Sequence, residues 1–287
     1  MADPAVSNHQ LPDLRFVPVD SLVPHEQHDD QRLEALTRRL TVEGVLKNPP
    51  VVAPFASDPA RETRYVVLDG ANRATAVRAA GWPHALVQVV RYFDPKVQLS
   101  TWSHALGRLS RQEFERALAG VPCLEIRPAQ RMLARAMLAR REALAWIAFG
   151  EGDVVTLHGG QNISERNDLL NAVVNQYNQR GRIYRVTTDS IDEARAAQAD
   201  VTALVVFPHF EPAEILELAQ SGARLPAGIT RHVIRGRALR LNIPLERLAD
   251  PAPTLEQKNR WLEEWLRERV AQRQVRFYDE PTVLFDE

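Results

Sequence analysis

Residues 65–81 constrain the fold of this chain more than any other segment. They join an apolar run of strand length, residues 65–68, to an alanine-rich helical stretch, residues 72–80, through the pair Asp69-Gly70. A strand that enters a helix through a glycine presents the free N–H groups of the first helical turn, which favour an anion. The segment therefore predicts an anion-binding turn, with the alternative that Gly70 merely permits a tight connection.

Apolar runs at residues 16–19, 51–54 and 85–90 predict further strands around this turn. With a helix carrying Leu33, Leu36 and Leu40, they indicate a mixed α/β module over residues 1–95.

Leucine, alanine and arginine dominate the next segment, residues 96–150, which predicts a helical bridge. From residue 154 apolar strands alternate with helices, which favours a parallel or mixed sheet. The expected fold class is therefore α/β (α+β), with a second α/β domain over residues 151–287.

Composition excludes several classes of protein. Lysine and arginine total 36 against 37 acidic residues, so the formal charge of −1 gives no global field for nucleic acid or an anionic membrane. One cysteine excludes an intramolecular disulfide and a cysteine-only zinc site. The N-terminus lacks the basic start and apolar run of a secretory signal, and the longest apolar stretches, 143–149 and 201–207, fall short of the about 20 residues that span a bilayer. We expect a cytoplasmic protein.

Glu26 is the first candidate for chemistry. A carboxylate near an anion site needs another task, such as accepting a proton from a hydroxyl nucleophile or holding a metal. Its neighbour His25 is more typical of a loop histidine packed over Pro24. At the predicted turn, Arg73 can add a charge-assisted fork to a phosphate, and Asp69 could orient Mg²⁺ or an amine.

A second candidate is the stretch Gly228-Ile229-Thr230-Arg231-His232, inside an arginine cluster that spans residues 224–240. In an extended chain Thr230 and His232 share one face and could hold a small carboxylate ligand together. The alternative is a positive surface around a strand. For Trp102 there are likewise two alternatives, a residue that fills the core or a residue that lines a pocket.

The order of three segments resembles the ParB/sulfiredoxin superfamily. They are LVPHE at 22–26, VEGVLKNPPVVAP at 42–54 and YVVLDGANRATAVRAAG at 65–81. The later segment LPAGITRHVIRGRALRLNIPL, at 225–245, narrows the resemblance to the free L-serine kinases of that superfamily, including the branch associated with siderophore biosynthesis.

The resemblance implies a ParB/sulfiredoxin-like N-terminal module and transfer of phosphate from ATP or ADP to L-serine, with Mg²⁺, to give O-phospho-L-serine. Glu26 would be the catalytic base, and Asp69 would support the metal and substrate. The nucleotide and its phosphates would contact Lys47, Asn48, Gly70, Ala71, Asn72, Arg73 and Ala74. The serine pocket would be lined by Trp102, Thr230, Arg231 and His232. Glu26, the Gly70 turn and residues 230–232 would then face one cleft.

Two positions depart from the pattern. Many relatives carry histidine where this chain has Ala71 and Asn72, and Ala71 cannot supply the cysteine that sulfiredoxin chemistry needs. The alternative function is a ParB-like nucleotide-binding regulator that binds DNA without kinase turnover, although no helix-turn-helix pattern is evident and no nucleic-acid partner is expected. The face of Trp261 and Trp265 on a terminal helix could pack on its own domain or against a second chain in a homodimer.

Overall fold

The computed structural model describes residues 11–27, 38, 42–55, 63–150 and 152–278. Their contacts divide them into two compact units. The first unit contains residues 11–23, 38, 42–55, 63–97 and 234–278, and the second contains residues 24–27, 98–150 and 152–233. The predicted helix with Leu33, Leu36 and Leu40 lies outside the described residues.

Strands and helices are mixed throughout, so the predicted α/β (α+β) class is confirmed. The strands are β1 (Asp13–Pro18), β2 (Leu22–Pro24), β3 (Val45–Leu46), β4 (Val51–Phe55), β5 (Arg64–Asp69), β6 (His84–Val89), β7 (Val97–Thr101), β8 (Ser103–Gly107), β9 (Glu125–Ala129), β10 (Ala145–Gly150), β11 (Asp153–His158), β12 (Arg182–Val186), β13 (Val201–Val206), β14 (Thr230–Ile234) and β15 (Ile243–Pro244). The helices are α1 (Ala71–Ala79), α2 (Arg111–Ala119), α3 (Arg131–Ala139), α4 (Ile163–Asn178), α5 (Ile191–Ala197), α6 (Pro212–Ser221), α7 (Leu245–Ala249) and α8 (Leu255–Ala271).

The first unit is built on a mixed five-stranded sheet with the order β1-β6-β4-β5-β2. Strand β4 runs antiparallel to β5 and parallel to β6. Strand β5 is buried through its apolar run and passes directly into α1 through Gly70, as the segment 65–81 predicts. The sheet therefore fixes the carboxyl end of β5, where Asp69 lies.

The terminal helix α8 packs on the core of this first unit. Leu262 is buried in the same cluster as Phe16, and Trp261 and Trp265 pack partly buried against that cluster. The Asn259 side chain receives a hydrogen bond from the Phe16 N–H at 2.8 Å and donates one to the Phe16 carbonyl at 3.0 Å. The tryptophan face is thus used within its own unit.

The second unit contains a six-stranded sheet with the order β12-β8-β13-β10-β11-β9. Each of its five strand pairs is antiparallel, so the expected parallel or mixed sheet is wrong. The order of elements does not predict this sheet, because β8 and β10 come from the segment predicted as helical. Both strands pair directly with later strands. Strands β7 and β14 form a separate two-stranded sheet.

The predicted domain boundaries differ from the structure in two ways. Residues 96–150 contain β7, β8, β9 and β10 besides α2 and α3, so they are not a helical bridge. Short apolar runs rich in leucine and alanine do not by themselves distinguish a buried strand from a helix. Residues 234–278 pack in the first unit, so residues 151–287 do not form one domain. Within the described ranges, no helix is both long enough and apolar enough to cross a bilayer.

Candidate functional site

In the second unit, the carboxylate of Glu26 accepts three hydrogen bonds. Its Oε1 accepts from the Thr230 N–H and the Thr230 hydroxyl, both at 2.6 Å, and its Oε2 accepts from the Gly228 N–H at 2.9 Å. The Thr230 hydroxyl also lies 2.7 Å from His25 Nε2. We call His25, Glu26, Gly228 and Thr230 the Glu26 cluster.

Backbone pairing sets the position of this cluster. The Gln27 N–H donates to the Leu225 carbonyl and the Leu225 N–H donates to the His25 carbonyl, both at 2.8 Å, in an isolated parallel bridge. Gly228 follows with φ of +75°, a conformation that favours glycine, and a Cβ there would clash with the Arg185 guanidinium. The chain can therefore aim two backbone N–H groups at one carboxylate.

The expectation for His25 is a loop histidine packed over Pro24, and the structure adds burial and a hydrogen bond to it. His25 is 3% exposed and bonds to Thr230. Its ring also makes an edge contact with His232, with ring centroids 5.2 Å apart. Thr230 and His232 therefore both contact His25, as strand alternation predicts.

Arg231 and Trp102 lie together in the second unit. The Arg231 guanidinium lies 4.8 Å from the centroid of the Trp102 ring, and the backbone N–H of Trp102 donates to the Ile229 carbonyl at 2.9 Å. Both side chains are half-buried. Stacking on an aromatic face holds a guanidinium in place while its edge N–H groups stay available to an anion.

In the first unit, Asp69 is bonded to two arginines. Its Oδ2 accepts from Arg73 Nη2 at 2.9 Å and from Arg237 Nη2 at 2.6 Å. Arg73 Nη1 also donates to the Asn48 carbonyl at 2.9 Å. We call Asn48, Asp69, Gly70, Arg73 and Arg237 the Asp69 cluster; its two guanidinium groups outweigh its single carboxylate, so its local charge is positive.

Gly70 shapes this cluster at the start of α1. It has φ of +85°, and a Cβ there would lie 3.0 Å from Arg73 Nε and 3.1 Å from the Cα of Pro50. Ala71 and Asn72 are half-exposed in the first helical turn. Ala74, by contrast, has a buried methyl group, and its N–H donates to the Gly70 carbonyl at 3.0 Å. The positive end of the α1 dipole therefore lies at Gly70, in the Asp69 cluster.

Lys47 and Asn48 take different positions. Lys47 Nζ pairs with Glu43 at 2.9 Å. Asn48 is 4% exposed, and its side-chain oxygen accepts from the Arg240 N–H at 3.0 Å. Asn48 therefore braces the Asp69 cluster, whereas the Lys47 ammonium is engaged outside it.

The sequence pattern does not single out Arg237, because Arg237 is one of several arginines in the cluster that spans residues 224–240. The structure fixes its segment through Gln88, which is 3% exposed. Gln88 donates to the Gly236 carbonyl at 3.0 Å and accepts from the Ala238 N–H at 2.8 Å. A lone glutamine inside the apolar run 85–90 was the available signal, since a buried amide needs polar partners.

The chain is similar to curated L-serine kinases along most of its length. It is 26% identical to the ATP-dependent L-serine kinase SbnI of Staphylococcus aureus over 281 residues, which cover 98% of this chain and 100% of that one. It is 25% identical to the ADP-dependent L-serine kinase SerK of Thermococcus kodakarensis, covering 82% of this chain and 93% of that one. No protein-family model matches.

A solved structure of a free serine kinase in complex with AMP has the same fold. The TM-score is 0.70 at 19% identity, covering 86% of this chain and 98% of that one. The predicted resemblance to the free L-serine kinases is confirmed.

His104, on β8, is hydrogen-bonded to the Gly228 carbonyl. Its Nε2 lies 3.0 Å from the Gly228 carbonyl, which can only accept, so Nε2 carries the proton and Nδ1 accepts from the Tyr177 hydroxyl at 2.9 Å. Complete burial lowers the pKa of His104 to about 4. The imidazole is therefore neutral at physiological pH.

Acid should destabilise the protein through His104. In the unfolded chain it binds a proton at its ordinary pKa of 6.5, but in the folded chain only near pH 4, so the unfolded state holds more protons between these values. We expect the free energy of unfolding of the wild type to fall about 3 kcal/mol more over that range than that of His104→Gln. Urea unfolding at several pH values measures this difference.

The matched control is His209→Gln, since His209 is exposed. That variant should keep the pH dependence of the wild type. An unchanged pH dependence in His104→Gln would show that His104 is not the buried group responsible.

Proposed function

We propose that this chain is a free L-serine kinase that transfers the terminal phosphoryl group of ATP or ADP to the hydroxyl of L-serine, giving O-phospho-L-serine. The observation that supports the proposal most strongly is the carboxylate of Glu26, which three hydrogen-bond donors hold in place. The same chain also has two arginines bonded to Asp69, beside the start of α1. A kinase needs an anion cradle and a group directed at the acceptor hydroxyl, with little covalent chemistry of its own. The named relatives favour this function over a DNA-binding regulator.

The Asp69 cluster supports binding of the nucleotide phosphates. The partial positive charge of the α1 N-terminus favours an anion. Arg73 and Arg237 add two planar guanidinium groups that suit phosphate oxygens. Asn72 replaces a histidine of many relatives and can donate a hydrogen bond but cannot become cationic, so phosphate binding here depends on the arginines.

Glu26 is proposed as the general base. Its carboxylate would take the serine proton while the serine oxygen forms a bond to phosphorus, the bridging P–O bond breaks and the shortened nucleotide leaves with that electron pair. The three donors hold the carboxylate in one orientation, which supports a positioned base. Rotation of the side chain would break all three hydrogen bonds.

Arg231 and Trp102 support recognition of the serine itself. The guanidinium edge can form paired hydrogen bonds with the serine carboxylate, and the indole ring holds the guanidinium in place. His232 lies on the opposite face of β14, beside His25. Thr230 and His232 would then border the acceptor end of serine near Glu26.

Asp69 is the residue of the Asp69 cluster that would hold Mg²⁺, through one oxygen. The described residues contain no group of three or more histidine, cysteine or acidic side chains that could hold a metal ion. Mg²⁺ in nucleotide enzymes commonly uses one or two carboxylates and completes its shell with phosphates and water. Both arginines bond to Oδ2 of Asp69, so Oδ1 is the atom we assign to the metal. Bound there, Mg²⁺ would neutralise charge on the phosphates.

Substituting the proposed base tests the catalytic role directly. Glu26→Gln keeps the size of the side chain but cannot take a proton at neutral pH, so we expect phosphoserine formation to fall by about 10² to 10⁴-fold. Nucleotide affinity should stay unchanged. Phosphoserine is measured by mass spectrometry and nucleotide affinity by calorimetry.

Glu217→Gln is the control, because Glu217 is an exposed glutamate of α6. It should retain full activity. If Glu26→Gln turned over as fast as the wild type, Glu26 would not be the base.

Removing the Arg73 guanidinium should weaken nucleotide binding. Arg73→Gln loses one charge-assisted contact to phosphate, and we expect the Kd for nucleotide to rise about 10- to 100-fold. The control is Arg91→Gln, since the Arg91 side chain is 88% exposed. Equal affinity of the wild type and Arg73→Gln in calorimetry would contradict the phosphate role, provided both unfold at the same temperature.

A further inference from the structure

We propose that Thr230 and His25 are positioning residues that make Oε2 of Glu26 the atom that takes the serine proton. The proposal rests on the proposed kinase function and refines it. It changes the expected role of Thr230, from a side chain that binds serine to one that holds the base.

The Glu26 carboxylate has more positions for hydrogen bonds than its three donors occupy. Each carboxylate oxygen can accept two hydrogen bonds. Oε1 accepts two, from the N–H and the hydroxyl of Thr230, whereas Oε2 accepts one, from Gly228. Among the contacts of the described residues, the remaining acceptor position is therefore on Oε2.

The hydrogen bonds that join His25, Thr230 and Glu26 can run in only one direction. An ionised carboxylate can only accept, so the Thr230 hydroxyl must donate its single hydrogen to Glu26 Oε1. The Thr230 oxygen is then an acceptor for His25 Nε2, 2.7 Å away. His25 must therefore carry a proton on Nε2, which gives a one-way chain from His25 through Thr230 to Glu26.

Burial of His25 and Thr230 favours this one direction of the hydrogen bonds. His25 is 3% exposed and Thr230 is 8% exposed, so water does not readily replace either partner. If His25 offered a bare Nε2 instead, the Thr230 hydroxyl would have to choose between His25 and Glu26. Donation to His25 would free a position on Oε1, and the carboxylate would lose its single preferred site for the incoming proton.

In the reaction, this arrangement directs the proton of the serine hydroxyl to Oε2. The serine oxygen forms its bond to phosphorus, the bridging P–O bond of the donor breaks, and the nucleotide leaves with the electron pair. Thr230 and His25 do not exchange protons with the substrate. Their effect is on the orientation of the base, and so on kcat.

Substitutions at Thr230 distinguish a positioning role from a serine-binding role. Thr230→Val removes the hydroxyl but keeps the backbone N–H, and we expect kcat to fall about 10- to 100-fold with KM for serine unchanged. Thr230→Ser restores the hydroxyl and should recover most of kcat. A rise in KM for serine with kcat unchanged in Thr230→Val would overturn the proposal, as would failure of Thr230→Ser to recover activity.

Substitutions at His25 test the donor. His25→Leu removes the N–H and should lower kcat to a similar extent, whereas His25→Gln retains an N–H donor and should recover part of it. The effects of Thr230→Val and His25→Leu should be less than additive, since both interrupt one chain. Fully additive effects would contradict the chain. The exposed His209→Leu serves as control.

A spectroscopic readout separates this inference from the kinase proposal. Long-range ¹H–¹⁵N correlation spectra of the His25 ring at mildly alkaline pH should show Nε2 protonated in the wild type. An unprotonated Nε2 would overturn the inference even in an active kinase. If the wild type forms no phosphoserine but Nε2 is protonated, the kinase proposal fails while the hydrogen-bond direction stands.

Discussion

The charge on Glu26 is the constraint on which the second unit's site depends. Its carboxylate is bonded by residues 202 and 204 positions later in the chain. Hydrogen bonds to an ionised group contribute about 1.5–3 kcal/mol each, more than neutral ones. They explain why residues 24–27 group with the second unit, although residues 11–23 and 42–55 belong to the first. The same contacts that place this short segment also aim its carboxylate.

In the Asp69 cluster, one carboxylate holds two arginines. Asp69 neutralises part of the charge of Arg73 and Arg237 and fixes their guanidinium planes, and the start of α1 adds further positive potential. Such an arrangement holds two arginines close together, which like-charge repulsion alone would oppose. An arriving phosphate then meets donors that are already oriented, so less conformational freedom is lost on binding.

Much of the site could be predicted from residue patterns. The strand, Asp-Gly turn and helix of residues 65–81 follow from local chemistry, and alternation along β14 places Thr230 and His232 on one face. The role of Arg237 could not be predicted, because its salt bridge joins residues 168 positions apart. The hydrogen bond of His25 could not be predicted for the same reason, since its partner Thr230 is 205 positions away.

The fold shows the same limit. Local hydrophobic patterns predict four of the five strands of the first sheet, because β1, β4, β5 and β6 are apolar runs bounded by turns. They fail for β8 and β10, whose buried residues are compatible with either a helix or a central strand, and for the antiparallel order of the second sheet, which long-range pairing decides.

Phosphorylation of free serine by this chain can be followed by ³¹P NMR of the purified protein with L-serine, Mg²⁺ and either ATP or ADP. We expect a phosphoserine resonance to appear as the terminal phosphate of one nucleotide is consumed, and no reaction without serine. Release of inorganic phosphate alone, or no consumption of either nucleotide, would contradict the proposed function.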